Sequence, residues 1–263
     1  MAVAGPASIG ATTGAVRLAD VATPFALIDG RRLRRNIAEM QSALEGIGAA
    51  LRPHFKTHRT SEIAQLQLDA GAIGLTVATV PQLAKARAEL ACPVLISSLL
   101  QLGAATAPDL RAACAGGEVT FAVESEPSIE ALRRALGPDL EPEVLIEVEA
   151  GCLRSGVPAA ACPGLARAAA RAGLRVVGVF SYPGQSYLPG QAAGAAKDEL
   201  AALEAAEREL RRAGVEVRHV SAGSTPTMPF ARAASRPSFG PEPTCSAIAS
   251  SCTSARWRAS SCR

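Results

Sequence analysis

The stretch ALRPHFKTH, residues 50–58, sets a short apolar run against a proline and then places His54, Lys56 and His58 at alternate positions. It reads as a strand over 50–55 that delivers its last residues into a loop, because short apolar runs bounded by turn signals are strand-like. The pattern recurs on both sides of it. Apolar, mostly β-branched runs over 24–28, 74–78, 94–97, 119–123, 144–148, 176–180 and 215–220 bring the count of predicted strands to eight. Between them 31–44, 60–70, 80–90, 129–136, 165–172 and 196–213 carry Ala, Leu, Arg and Glu at helical period. Gly71, Gly173 and Gly214 follow such segments, where a left-handed cap is easiest. Eight βα units with short connections predict an α/β fold, a closed parallel (β/α)8 TIM-type barrel. An open doubly wound sheet is the alternative, disfavoured because no glycine-rich dinucleotide fingerprint follows the first strand.

The barrel is expected over 23–234, after an N-terminal extension at 1–22. From 235 to 263 the pattern dissolves: past Phe239 only Ile248 and Trp257 are large and apolar, and three of the seven cysteines crowd together. Such a segment cannot bury enough surface to offset its ordering entropy, so it is expected to be disordered. Its Cys, Ser, Ala and Arg content is also what a shifted reading frame of a GC-rich gene would yield.

At 263 residues and 48% hydrophobic content the chain can fill one barrel core. Lys plus Arg (27) nearly balance Asp plus Glu (24), so no broad field favours nucleic acid or an anionic membrane, and aromatic residues at 3% are too few for base-stacking surfaces. The start lacks a basic segment followed by an apolar one, and no stretch approaches the roughly 18 apolar residues of a span; a cytoplasmic protein is expected. The cysteines form no C-x-x-C pair, which points to reduced thiols rather than zinc or disulfides.

If the barrel is right, the C-terminal strand ends form the working face. Lys56 would point into the mouth, where cations and partial desolvation lower its pKa and leave the amine free to form a Schiff base; its alternative is a solvated surface lysine. Ser221-Ala222-Gly223-Ser224-Thr225-Pro226-Thr227 offers N–H groups and hydroxyls to a phosphate, or is an ordinary helix start. Glu149-Ala150-Gly151-Cys152-Leu153-Arg154-Ser155-Gly156-Val157 has glycines that let Arg154 approach a ligand. Ser181-Tyr182-Pro183-Gly184-Gln185-Ser186-Tyr187 gathers both tyrosines of the chain into one loop.

RPHFKTH, GCLRSGV, SYPGQSY and SAGSTPT stand in an order and spacing that resembles the alanine racemase-like N-terminal domain of D-threonine aldolases and D-serine dehydratases, fold-type III pyridoxal 5'-phosphate (PLP) enzymes. The likeness runs from about Thr23 to Thr227. It implies that Lys56 carries the cofactor, that Gly223, Ser224 and Thr225 hold its phosphate, that Arg154 lies near its phenolic oxygen and Tyr182 near its ring, and that His54 lines the same wall. It further implies a small D-amino acid substrate and a homodimer.

Two departures accompany it. Gln185 stands where the family usually has a histidine, and no histidine follows His219, so the metal pair of the family's C-terminal β-domain has no counterpart; that domain is expected to be lacking and no metal ligand is assigned. The resemblance implies a divalent metal for intact members. The leading expectation is therefore a PLP-dependent D-amino acid lyase, a D-3-hydroxy amino acid aldolase or D-serine dehydratase, with activity impaired without that domain. A single-barrel PLP-binding homeostasis protein, an inactive fragment and an alanine racemase-like isomerase are the alternatives.

Overall fold

The computed structural model describes residues 16–97, 102–103, 105–234 and 244–247. The strands are β1 (Ala50–Leu51), β2 (Leu75–Val77), β3 (Val94–Ile96), β4 (Val119–Val123), β5 (Glu143–Glu147), β6 (Arg175–Phe180), β7 (His219–Ala222) and β8 (Thr244–Ala247). They are all parallel, in the order β1-β8-β7-β6-β5-β4-β3-β2. The two ends of this sheet meet through a parallel bridge between His54 and Thr76, where the Phe55 N–H donates to the Thr76 carbonyl and the Thr76 N–H to the Pro53 carbonyl, each at 2.8 Å. The result is a closed (β/α)8 barrel.

Helices α1 (Gly30–Glu45), α2 (Ser61–Asp69), α3 (Val80–Glu89), α4 (Ala107–Ala115), α5 (Glu126–Leu136), α6 (Cys162–Arg171), α7 (Ala192–Arg212) and α8 (Met228–Ala234) lie between the strands. Their starts are chemically marked: the Asp29 carboxylate accepts the N–H groups of Arg31 and Arg32, and Ser125 and Ser128 cap α5 reciprocally. No helix among the described residues is long and apolar enough to cross a membrane. Cys92, Cys114, Cys152 and Cys162 are free thiols.

Strand alternation divides the apolar side chains of β2 to β7 between two bodies, while Leu51 of β1 packs with Leu44, Ala49 and Met228. Leu75, Val77, Val94, Ile96, Phe121, Val123, Val144, Ile146, Val179 and Val220 face the helices within the large outer core. Leu95, Ala122, Leu145, Val177 and Phe180 form a separate cluster inside the barrel, with Tyr182 packed on it. The register between β5 and β6 shifts here, Val144 pairing with Val176 but Leu145 with Gly178, which leaves Val177 as an extra residue in β6. Gly178 is required at this point, because an added Cβ would fall on the His219 carbonyl of β7.

Two expectations about strands are corrected. Residues 24–28 are not a strand: they lie outside the sheet with Leu27 72% exposed, since the barrel already closes without them. The eighth strand comes instead from the segment expected to be disordered, where 244–247 pairs with both β7 and β1. A parallel ladder is held by backbone groups, so a stretch poor in large side chains can still complete a sheet. The remainder of 235–263, like 1–15, lies outside the described residues. The strand expected over 215–220 begins later, at His219, and α4 had no counterpart in the sequence reading.

Candidate active site

β1 runs into Arg52-Pro53-His54-Phe55-Lys56, and alternation sends Phe55 into the helix-facing core while His54 and Lys56 stay on the other face. Lys56 is half-buried, and burial followed by the charge of Arg154 lowers its pKa from the ordinary lysine value. Its Nζ lies 5.2 Å from the centroid of the Tyr182 ring, and the Arg154 guanidinium carbon lies 5.1 Å from the same centroid. The loops after β1, β5 and β6 therefore converge on one aromatic ring at the C-terminal end of the barrel.

Arg154 is placed by a strained loop. Leu153 adopts φ 51 and Gly156 φ 96, and a Cβ on Gly156 would come within 2.7 Å of the Glu149 backbone nitrogen. Beneath Arg154 lies Glu147, only 4% exposed, which accepts the Ser155 hydroxyl at 2.6 Å and sits 3.9 Å from an Arg154 nitrogen. Burial raises the Glu147 pKa, against the hydrogen bond from Ser155 and the Arg154 charge. Gln185 ties this loop to the next one, donating from Nε2 to the Ala150 carbonyl at 2.7 Å.

His54 is buried, and burial reinforced by Lys56 pushes its pKa down to about 3, so the ring is neutral at any ordinary pH. It lines the wall below Lys56 as an uncharged group.

The turn Gly223–Thr227 follows β7 at the same end. The Ser224 hydroxyl lies 2.8 Å from that of Ser186 and 3.1 Å from that of Thr227, and the Ser224 N–H donates to Thr227 Oγ1 at 2.9 Å. The Gly223 N–H donates to Glu199 Oε1 on α7 at 2.9 Å. Two of the amides expected for a phosphate are thus engaged within the chain, and the Ser224 hydroxyl lies within a buried cluster with those of Ser186 and Thr227. Ser181 and Ser221, at the ends of β6 and β7, carry buried hydroxyls with no partner among the described residues.

Of the residues singled out from sequence, Lys56, Arg154 and Tyr182 meet at one ring, His54 lies on the wall next to Lys56, and Gly223, Ser224 and Thr225 stand on a neighbouring strand end. Glu147 and Glu199 escaped that reading, and Ser186 and Thr227 stood within the quoted loops without a role of their own. A signal for Glu199 was present: it falls on the stripe of Ala195, Leu203, Ala206 and Leu210 that α7 buries.

These features define a (β/α)8-barrel domain whose candidate ligand site lies at the C-terminal ends of its strands, beside a lysine of lowered proton affinity. The chain belongs to the family described as alanine racemase, N-terminal domain, which matches residues 28–237. It is 36% identical over 222 residues to D-threo-3-hydroxyaspartate dehydratase of Delftia sp. (strain HT23), covering 81% of this chain and 57% of that protein. The solved structure of that dehydratase matches with a TM-score of 0.73 at 30% identity, over 88% of this chain and 61% of the other. D-threonine aldolase from Filomicrobium marinum matches with a TM-score of 0.75 at 26% identity, over 89% and 63%. The chain spans about three fifths of the length of these relatives.

Proposed function

We propose that this chain holds PLP in the barrel mouth, on Lys56, and serves as the barrel of a PLP-dependent lyase acting on D-amino acids, either cleaving D-3-hydroxy amino acids or eliminating water from D-serine-like substrates. The observation that carries this reading is the amine of Lys56, half-buried and reduced in proton affinity, sharing the Tyr182 ring with Arg154. The similarity to a D-threo-3-hydroxyaspartate dehydratase and a D-threonine aldolase supports the substrate class.

The donor set fits the cofactor: an amine for its aldehyde, a guanidinium for its phenolic oxygen, and the hydroxyls of Ser224 and Thr225 for its phosphate. When bound, PLP supplies the electron sink for a carbanion at the substrate α-carbon. Lys56 Nζ, kept neutral more readily by burial and by Arg154, is the chain's base for a substrate proton. Arg154 holds its positive charge in place through Glu147 and the Ser155 hydroxyl. Tyr182 walls one side of the mouth against water, and His54 stays uncharged, so that it adds no cation beside Lys56. No group of three His, Cys, Asp or Glu suited to a metal occurs among the described residues, and no step is assigned to one.

The test is the visible absorbance of the purified protein with added PLP, compared with Lys56→Ala, alongside turnover of D-threo-3-hydroxyaspartate, D-threonine and D-serine with and without Mn or Zn. A band of lysine-bound PLP that disappears in Lys56→Ala is expected. An unchanged spectrum in the variant overturns the assignment, and turnover decides between a lyase and a PLP-binding module.

A further inference from the structure

Glu199 is a carboxylic acid in the wrong place for a surface helix residue. It sits in the middle of α7, 4% exposed, on the stripe that this helix packs inward. The backbone N–H of Gly223, the first residue of the turn after β7, donates to its Oε1 at 2.9 Å. A buried carboxylate without a cation is costly, and the group responds by holding its proton. Burial pushes its pKa up to about 8 against the opposing effect of the Gly223 hydrogen bond.

The surroundings supply no compensating charge among the described residues. The elements packed on α7 are α6, α8, β6, β7 and the 3-10 turns Ala159–Ala161 and Gly184–Tyr187. Their ionisable residues with described side chains are Cys162, Arg167, Arg171, Arg175, Tyr187 and His219, and α7 itself carries Lys197, Asp198 and Glu204 nearest to Glu199 in sequence. Among the described residues none of these arginines forms an ion pair with Glu199, whose proton affinity is set by burial and by the Gly223 hydrogen bond.

We propose that Glu199 is a positioning residue for the Gly223–Thr227 turn: as an uncharged acid it holds the turn from behind, so that the turn accepts an anionic phosphate. This rests on the reading that the turn takes the phosphate of PLP. The geometry gives two reasons for it. Gly223, at φ 102, is fixed by the hydrogen bond to Glu199 and thereby fixes the start of the hydroxyl cluster of Ser224, Thr227 and Ser186. An ionised Glu199 would place a negative charge directly behind a phosphate dianion, in a dry environment where repulsion is strong.

By linkage, a bound phosphate must favour protonated Glu199, and loss of that proton must weaken phosphate binding. If only the protonated form is competent, the apparent dissociation constant rises about tenfold for each pH unit above the folded pKa.

The experiment compares binding of PLP with binding of pyridoxal, which lacks the phosphate, between pH 7 and pH 9. The ratio of the two affinities cancels the titration of Lys56, common to both. In the unaltered protein the preference for PLP should fall about tenfold over that range. Glu199→Gln, which keeps an acceptor for Gly223 and cannot ionise, should hold its preference constant. Glu199→Ala should weaken PLP several-fold at every pH and leave pyridoxal unchanged, with circular dichroism confirming the fold of both variants. A Glu199→Gln protein that follows the pH curve of the unaltered one overturns the proposal, as does a pH-independent preference in the latter. If PLP and pyridoxal bind equally at every pH, the phosphate is held elsewhere and the reading of the turn itself fails.

Discussion

The backbone N–H of Lys56 points at Nδ1 of His54, 3.3 Å away. A ring nitrogen that accepts cannot carry a proton, so this contact fixes His54 as the neutral tautomer with its hydrogen on Nε2.

Stability in acid follows from that arrangement. The folded pKa of His54 is about 3, below the ordinary value of 6.5, so the unfolded chain binds a proton that the folded chain refuses. The His54 contribution is complete above about pH 6.5 and declines as the pH falls towards the folded value, with about 2 kcal/mol lost by pH 5. Urea midpoints at pH 7 and pH 5 should separate for the unaltered protein more than for His54→Asn. Equal separations would show that His54 is charged or exposed in the folded chain.

Removing the cation beside the amine should be visible in the titration of Lys56. Arg154 is the second cause of its lowered pKa, after burial. In Arg154→Ala the pH at which the lysine captures PLP should therefore move upward, as followed by absorbance across a pH series. A curve that stays in place, or moves down, would mean that the two cations do not share the Tyr182 ring in solution.

The hydroxyl cluster gives a further test. Ser224→Ala and Thr225→Ala should each weaken PLP retention by roughly 1.5 to 3 kcal/mol, the range for hydrogen bonds to a charged group. Equilibrium dialysis measures this directly. Unchanged retention in both variants would move the phosphate away from Gly223–Thr227.

Gly178→Ala should be among the most damaging small substitutions in the barrel, at about 3 kcal/mol or more, because the added methyl group meets backbone of β7 rather than a side chain that can turn aside. Thermal unfolding followed by circular dichroism should report it, and a loss below about 1 kcal/mol would mean that the two strands part easily there.

Much of the barrel was legible because its signal is periodic. Seven of the eight expected strand segments overlap observed ones, and Lys56 was visible because a strand rich in apolar residues stops and charged groups begin. The run at 24–28 misled because composition cannot tell a chain segment that pairs from one that merely could. The strand at 244–247 was missed for the opposite reason: Thr244, Cys245, Ser246 and Ala247 have little to bury, and only the gap between β7 and β1 shows that they are needed. Arg154 and Tyr182 were found as loop residues between glycines and beside a proline. Glu147 and Glu199 were not, since an acidic residue in a strand or helix reads as solvated until the packed face is known.

The bulge in β6 decides which side of the strand speaks to the ligand. Side chains alternate, so an unbulged strand through the same residues would carry 177, 179 and 181 on its inner face; with the bulge, Val177, Phe180 and Tyr182 share the interior. The identity of the group at the mouth is thus written in the length of the strand before it and not only in the letter at position 182. Inserting one residue between Phe180 and Ser181 would leave the SYPGQSY loop spelled as before while turning its tyrosine towards the helices and a serine towards Lys56, whereas deleting Val177 would only remove the bulge and leave Gly178 paired with Leu145 and Tyr182 inside. If such an insertion preserved PLP binding, the parity argument would fail. The spacing between the bulge and the loop is thus what keeps an aromatic ring, and not a hydroxyl, between the two cations of the site.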